Sequence, residues 1–119
     1  MEVRDVQTWF PVKTGLFGRT SRYIKAVDRV SLQINSGEIV ALVGESGCGK
    51  STLGNSIAGL LPIRGGNILF KGNSALKGHH LQREIFKNKV QLIFQDPYSS
   101  LNPKHTIYDI LSFPLLYHN

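Results

Sequence analysis

Nine residues, GESGCGKST from Gly44 to Thr52, restrict the fold more than any other part of the chain. Three glycines fall within six positions, and a lysine and two hydroxyl residues follow. Before them stands the unbroken apolar run IVALV, Ile39 to Val43, rich in β-branched residues. A short run of that kind fits a strand buried on both faces of a parallel sheet. After them the apolar period lengthens to that of a helix, with Leu53, Ile57, Leu60 and Leu61 on one face and Pro62 as the stop. Strand, glycine loop and helix in that order predict an α/β architecture.

The loop spells Gly44-x-x-x-x-Gly49-Lys50-Ser51, the P-loop pattern, and lies where that pattern works, between a buried strand and a helix. Its chemistry follows from residue type. A polyphosphate must exchange its hydration for backbone amides, and these approach only where side chains stay clear. Gly44, Gly47 and Gly49 allow that approach, and Glu45, Ser46 and Cys48 contribute loop amides between them. The following helix adds free N-terminal amides and the positive end of its dipole. Lys50 supplies an ammonium for the β- and γ-phosphates, Ser51 a hydroxyl for Mg²⁺, and Thr52 reaches toward the α-phosphate. The cofactors expected from this pattern are ATP and Mg²⁺.

The rest of the chain reads as follows. Val3, Val6, Trp9 and Phe10 suggest a first strand. Residues 11–25 are basic and broken by Pro and Gly, which predicts a long loop. Val30, Leu32 and Ile34 alternate with polar residues, a strand with one buried face, and Ser36-Gly37 forms a turn. Gly65-Gly66 turns the chain into the strand NILFK, residues 67–71. A helix is expected over Leu81 to Lys87, then the strand KVQLIF, residues 89–94, stopped by Asp96-Pro97. Thr106 with Asp109 three residues on marks a helix start, with Ile107, Ile110 and Leu111 on one side until Pro114.

Composition excludes several other classes. The net charge of +6 arises from scattered basic residues without a dense block, which argues against a nucleic-acid partner. One cysteine, Cys48, allows no internal disulfide. His79, His80, His105 and His118 lack metal-ligand spacing. No apolar run approaches the roughly 20 residues of a membrane span, and the start lacks the apolar core of a signal peptide. The expected location is cytoplasmic.

FQDPYSSLNP, from Phe94 to Pro103, follows the KVQLIF strand and resembles the Q-loop of ABC-transporter ATPases. With WFPVKTGLFGR, KAVDRVSLQINSGE and GESGCGKSTL in the same order, the chain is similar to the nucleotide-binding subunits of oligopeptide and dipeptide importers. The resemblance covers essentially all of the chain and does not separate peptide carriers from relatives that import nickel or glutathione. It implies that residues 1–37 are an antiparallel β portion carrying the basic loop 11–25. Residues 38–103 would be the P-loop core through the Q-loop, and 104–119 the start of a truncated helical subdomain.

The resemblance also assigns roles. Gln95 becomes the Q-loop glutamine, a catalytic residue that meets Mg²⁺ or the attacking water. The loop Asp96–Pro103 faces transmembrane permease subunits, a second ATPase subunit pairs with this one, and the assembly sits peripherally on the inner face of the cell membrane. An aromatic residue ahead of the P-loop stacks on adenine; Phe10 best matches that position, with Tyr23 the runner-up and a core aromatic the bland alternative for Phe10. LIFQD could also be read as a degenerate acidic Mg²⁺ strand, but Gln95 precedes the acid and Pro97 follows it, so Asp96 is read as a turn former.

The family's LSGGQ signature, its apolar strand ending in Asp-Glu and its switch histidine do not occur in these 119 residues. Phosphoryl transfer depends on charge stabilisation and a positioned nucleophile. The expectation is a truncated chain that binds Mg-ATP and scarcely hydrolyses it, with IVALV left as an exposed apolar edge. The alternative is a nucleotide-binding remnant or regulatory fragment without transport or hydrolysis. A small P-loop kinase fits poorly, because it leaves FQDPYSSLNP without a role.

Overall fold

The computed structural model describes residues 1–14, 19–75, 86, 88–96, 98 and 101–117. Its centre is a four-stranded antiparallel sheet in the order β2-β1-β3-β4, built from β1 (Glu2–Thr14), β2 (Arg19–Gln33), β3 (Gly65–Phe70) and β4 (Asn73–Ser74). Helix α1 (Lys50–Ile57) packs on one face. Helix α2 (Ile107–Tyr117) follows later, and Phe86, Asn88 and Lys89 are helical between them.

The core lies between the sheet and α1. Val3, Val6, Val27, Leu53, Ile68, Ala75 and Phe86 are buried, and Ile57, Ile63 and Phe70 pack against them. Phe70 and Phe86 meet edge to face, with centroids 5.9 Å apart. Two of the buried valines, Val3 and Val6, are an odd three residues apart, which would put them on opposite faces of a regular strand. An extra residue at Asp5 (φ 46°) restores them to one face: β1 uses three steps there where β2 and β3 use two. Beyond it the extra residues sit on β2. One lies between Val30 and Val27, near Arg29 (φ 57°), a second is Ala26, between the pairs Thr8–Val27 and Trp9–Lys25, and a third is Ser21, between Val12–Arg22 and Lys13–Thr20.

Several expectations are corrected. Most of the basic stretch 11–25 is strand, not loop: β1 and β2 pair as far as Thr14 and Arg19. β3 accompanies β1 only from Glu2 to Gln7. Further out, no strand among the described residues takes the second edge of β1, where Pro11, lacking an N–H, is tolerated. Neither IVALV nor residues 91–94 join the sheet; Ile39 is 98% exposed and Ile93 93%. An apolar strand is buried only where neighbours take both its edges, and among the described residues none do.

Helix α1 stops at Ile57, well before Pro62. Leu60 N–H donates to the Asn55 carbonyl at 2.9 Å and Gly59 N–H to that of Ser56 at 3.1 Å, with Gly59 at φ 76°. This Schellman arrangement needs a left-handed residue, which glycine supplies, and it leaves Leu60 exposed. Helix α2 starts as expected, with Thr106 Oγ1 donating to Asp109 Oδ2 at 2.7 Å and Asp109 N–H donating back at 3.2 Å. It runs on through Pro114 to Tyr117, since a proline there removes one ladder bond without ending the helix. The helix expected over Leu81–Lys87 lies largely outside the described residues; Phe86 alone of that span is described, and it is helical.

Candidate phosphate-binding site

The glycine loop runs directly into α1. Gly49 is the N-cap, at φ 98° and ψ 5°, with no side chain capping the helix. The first intrahelical bond is Leu53 N–H to the Gly49 carbonyl, 2.8 Å. The amides of Lys50, Ser51 and Thr52 therefore have no acceptor within the helix. The first turn carries no acidic side chain to occupy them. Three amides and the positive end of a helix dipole converge where an anion is favoured.

Lys50 folds back over this opening. Its ammonium donates to the carbonyl of Gly44 at 2.7 Å and that of Glu45 at 2.6 Å, with Cys48 Sγ at 3.5 Å. Cys48 N–H reaches the Glu45 carbonyl at 3.4 Å, closing the turn. The loop is thus a ring fastened by its own lysine, with Glu45, Ser46, Gly47 and Cys48 exposed around it and Ser51 exposed at the helix start.

Gly49 is fixed by more than its φ. A Cβ there would lie 2.2 Å from the Ala26 carbonyl oxygen, so the end of the loop sits directly on the backbone of β2. The contact falls at Ala26, one of the extra residues of β2. Leu53 and Ser56 then carry α1 onto the core, and Ser56 Oγ lies 2.8 Å from Thr8 Oγ1 of β1. Ala26, Thr8 and Ser56 had not been singled out from sequence. The available signal was parity: Thr8 shares the inward parity of Val6, and Ser56 stands one turn from Leu53.

Phe10 also has the parity of Val6 and Thr8, which places it on the face of β1 that receives α1. It pairs with Ile24 and is 39% exposed. Tyr23 pairs with Pro11 and so belongs to the opposite face. There the Arg64 guanidinium covers its ring at 4.1 Å, with Trp9 beside it at 6.4 Å.

Gln95 is exposed, outside any strand, and no hydrogen bond ties it to the loop among the described residues. Asp96 accepts from Tyr98 N–H at 3.0 Å, the geometry of a turn former. Among the described residues no group of three or more His, Cys, Asp or Glu could hold a metal. Ser51 fits an ion that arrives with phosphate oxygens, because Mg²⁺ is commonly held by few protein ligands.

The family model described as ABC transporter matches residues 27–114, which include the loop, α1 and the Gln95 segment. The chain belongs to the ABC transporter family. Membership gives the chain an α/β P-loop fold, as expected, and implies nucleotide binding. Among relatives, the chain is 46% identical to the oligopeptide transport ATP-binding protein AppF of Bacillus subtilis, covering 100% of this chain and 36% of AppF. It is 40% identical to the dipeptide transport ATP-binding protein DppF of Escherichia coli, over 98% of this chain and 34% of DppF. It is 44% identical to the glutathione import ATP-binding protein GsiA of Pectobacterium atrosepticum, over 100% of this chain and 19% of GsiA. This ABC-transporter chain thus spans about a third of the length of AppF and DppF. No helix among the described residues is long and apolar enough to cross a membrane.

Proposed function

We propose that this chain is the ATP-gripping part of an ATPase that energises import of peptides, or a related small solute, through a membrane permease. One observation carries the reading: the Lys50 ammonium lies on the carbonyls of the glycine loop, and that loop runs into the start of α1, where three amides have no intrahelical acceptor. The relatives' names point to peptide-like solutes, oligopeptide, dipeptide and glutathione.

In this reading the amides of Gly44 to Thr52 take the phosphate oxygens, and Lys50 moves from its carbonyls to the β- and γ-phosphates. Mg²⁺, when bound, would supply charge neutralisation for the phosphates. Ser51 would hold it through its hydroxyl, and Gln95 would be the residue that senses the γ-phosphate and orients water. Phe10 stacks on the adenine, a contact worth about 1–3 kcal/mol by analogy with base stacking. The loop Asp96–Pro103 meets the permease, a second ATPase subunit completes the working pair, and the assembly sits at the inner face of the membrane.

The test is equilibrium binding of Mg-ATP to the chain and to Lys50→Ala. A charge-assisted bond of this kind predicts at least about tenfold weaker binding in the variant. Equal affinity in the two proteins sinks the proposal. Turnover by the chain is expected to be negligible, because these 119 residues contain no apolar strand ending in Asp-Glu to activate water.

A further inference from the structure

Two buried hydroxyls connect the sheet to the head of α1. Thr8 Oγ1 and Ser56 Oγ are 2.8 Å apart, at 2% and 0% residue exposure, among apolar core residues. Ser56 Oγ also donates to the Thr52 carbonyl at 2.7 Å. A serine hydroxyl has one proton. Ser56 commits it to Thr52, so Thr8 must be the donor to Ser56.

The chain of bonds continues. The Thr52 carbonyl shares its peptide with Leu53 N–H, and that N–H donates to the Gly49 carbonyl at 2.8 Å. Polarising one end of a peptide strengthens the bond at its other end. A directed path therefore leads from Thr8 through Ser56 and the Thr52–Leu53 peptide to Gly49. Gly49 is held from the other side by the Ala26 backbone of β2. Both strands of the hairpin thus hold the residue where the loop becomes a helix.

We propose that Thr8 and Ser56 are positioning residues for the phosphate loop, fixing the first turn of α1 so that the amides of Lys50, Ser51 and Thr52 stay convergent. Packing alone does not ask for hydroxyls here. An aliphatic pair would fill the space and avoid burying polar groups, but it would give the first turn no preferred direction. The inference rests on the nucleotide reading above and concerns residues that never touch nucleotide.

The experiment measures affinity for Mg²⁺ with a fluorescent ATP analogue, alongside the thermal midpoint, for Thr8→Val, Thr8→Ser, Ser56→Ala and Thr8→Val/Ser56→Ala. Thr8→Val keeps the shape and removes the donor. It is expected to bind about fivefold more weakly, the worth of one net hydrogen bond. Thr8→Ser, which keeps the donor, is expected to bind within about twofold of the parent chain. Ser56→Ala, which favours helix and keeps α1 folded, carries the same expectation as Thr8→Val, and the double variant should bind no more weakly than Ser56→Ala. Parental affinity in Thr8→Val or Ser56→Ala overturns the relay. So does equal weakness of Thr8→Ser and Thr8→Val, or losses that multiply in the double variant. Lys50→Ala in the same assay separates the two claims: parental binding there overturns the nucleotide reading itself. Loss there with parental binding in Thr8→Val overturns the relay alone.

Discussion

The two ends of the phosphate loop meet opposite surroundings. At Gly49 the chain presses on the Ala26 backbone, and within one turn Leu53 and Ser56 are buried. At Gly44 it emerges from Ile39–Val43, where Ile39 and Val43 are 98% and 89% exposed. The segment with the strongest apolar character is solvated, while the modest alternation of Val6 and Thr8 forms the core. Apolar composition states what a segment would gain from cover; the neighbours decide whether it is covered. The grip on the loop is therefore one-sided, delivered by the hairpin and α1.

That asymmetry can be broken at its strongest point first. Gly49→Ala sets a methyl 2.2 Å from the Ala26 oxygen at a backbone angle that side chains rarely adopt. It should unseat the loop, lower the thermal midpoint and abolish Mg-ATP binding; a variant that binds like the parent would show the contact to be slack. Next, Ile68→Ala, at a side chain with no exposure, should cost about 2–5 kcal/mol in urea unfolding. Ile39→Ser should stay within about 0.5 kcal/mol of the parent and reduce light scattering on concentration. Equal destabilisation by the two isoleucine variants would erase the contrast between the ends.

The smallest effect concerns α2, an exposed helix held at its start by its own side chains. The Thr106 hydroxyl first, and its backbone N–H second, hold the Asp109 carboxyl below the ordinary range. A carboxylate with a lowered folded value contributes stability that is fully present above its unfolded value near pH 4 and is lost as pH falls through the lowered one. Circular dichroism on acidification should show α2 fraying in that window, and Asp109→Asn should remove the dependence. An unchanged acid profile in Asp109→Asn would place the cap's contribution elsewhere.

Legibility followed the range of the interactions. The glycine loop, the strand through Val30 and Leu32, the Gly65-Gly66 entry to β3 and the Thr106–Asp109 cap are local patterns, and each could be read directly. The ribbon through Pro11 was hidden because proline forbids strand only where both edges are paired, and edge pairing is a tertiary fact. Gly59, not Pro62, ended α1 because a left-handed glycine supplies the terminal bonds earlier than a proline imposes a stop. Thr8 and Ser56 were missed because they are 48 residues apart, and only the sheet brings them together.

Lys50 sets the scale for how tightly such a loop can hold anything. Its ammonium already rests on two carbonyls, those of Gly44 and Glu45. Those oxygens would act as intramolecular competitors in the proposed site: a phosphate would not add a contact to a free cation but would displace existing partners. Affinity is then the difference between two sets of bonds of similar strength. It should respond as sharply to changes that loosen Lys50 from its own loop as to changes in the nucleotide.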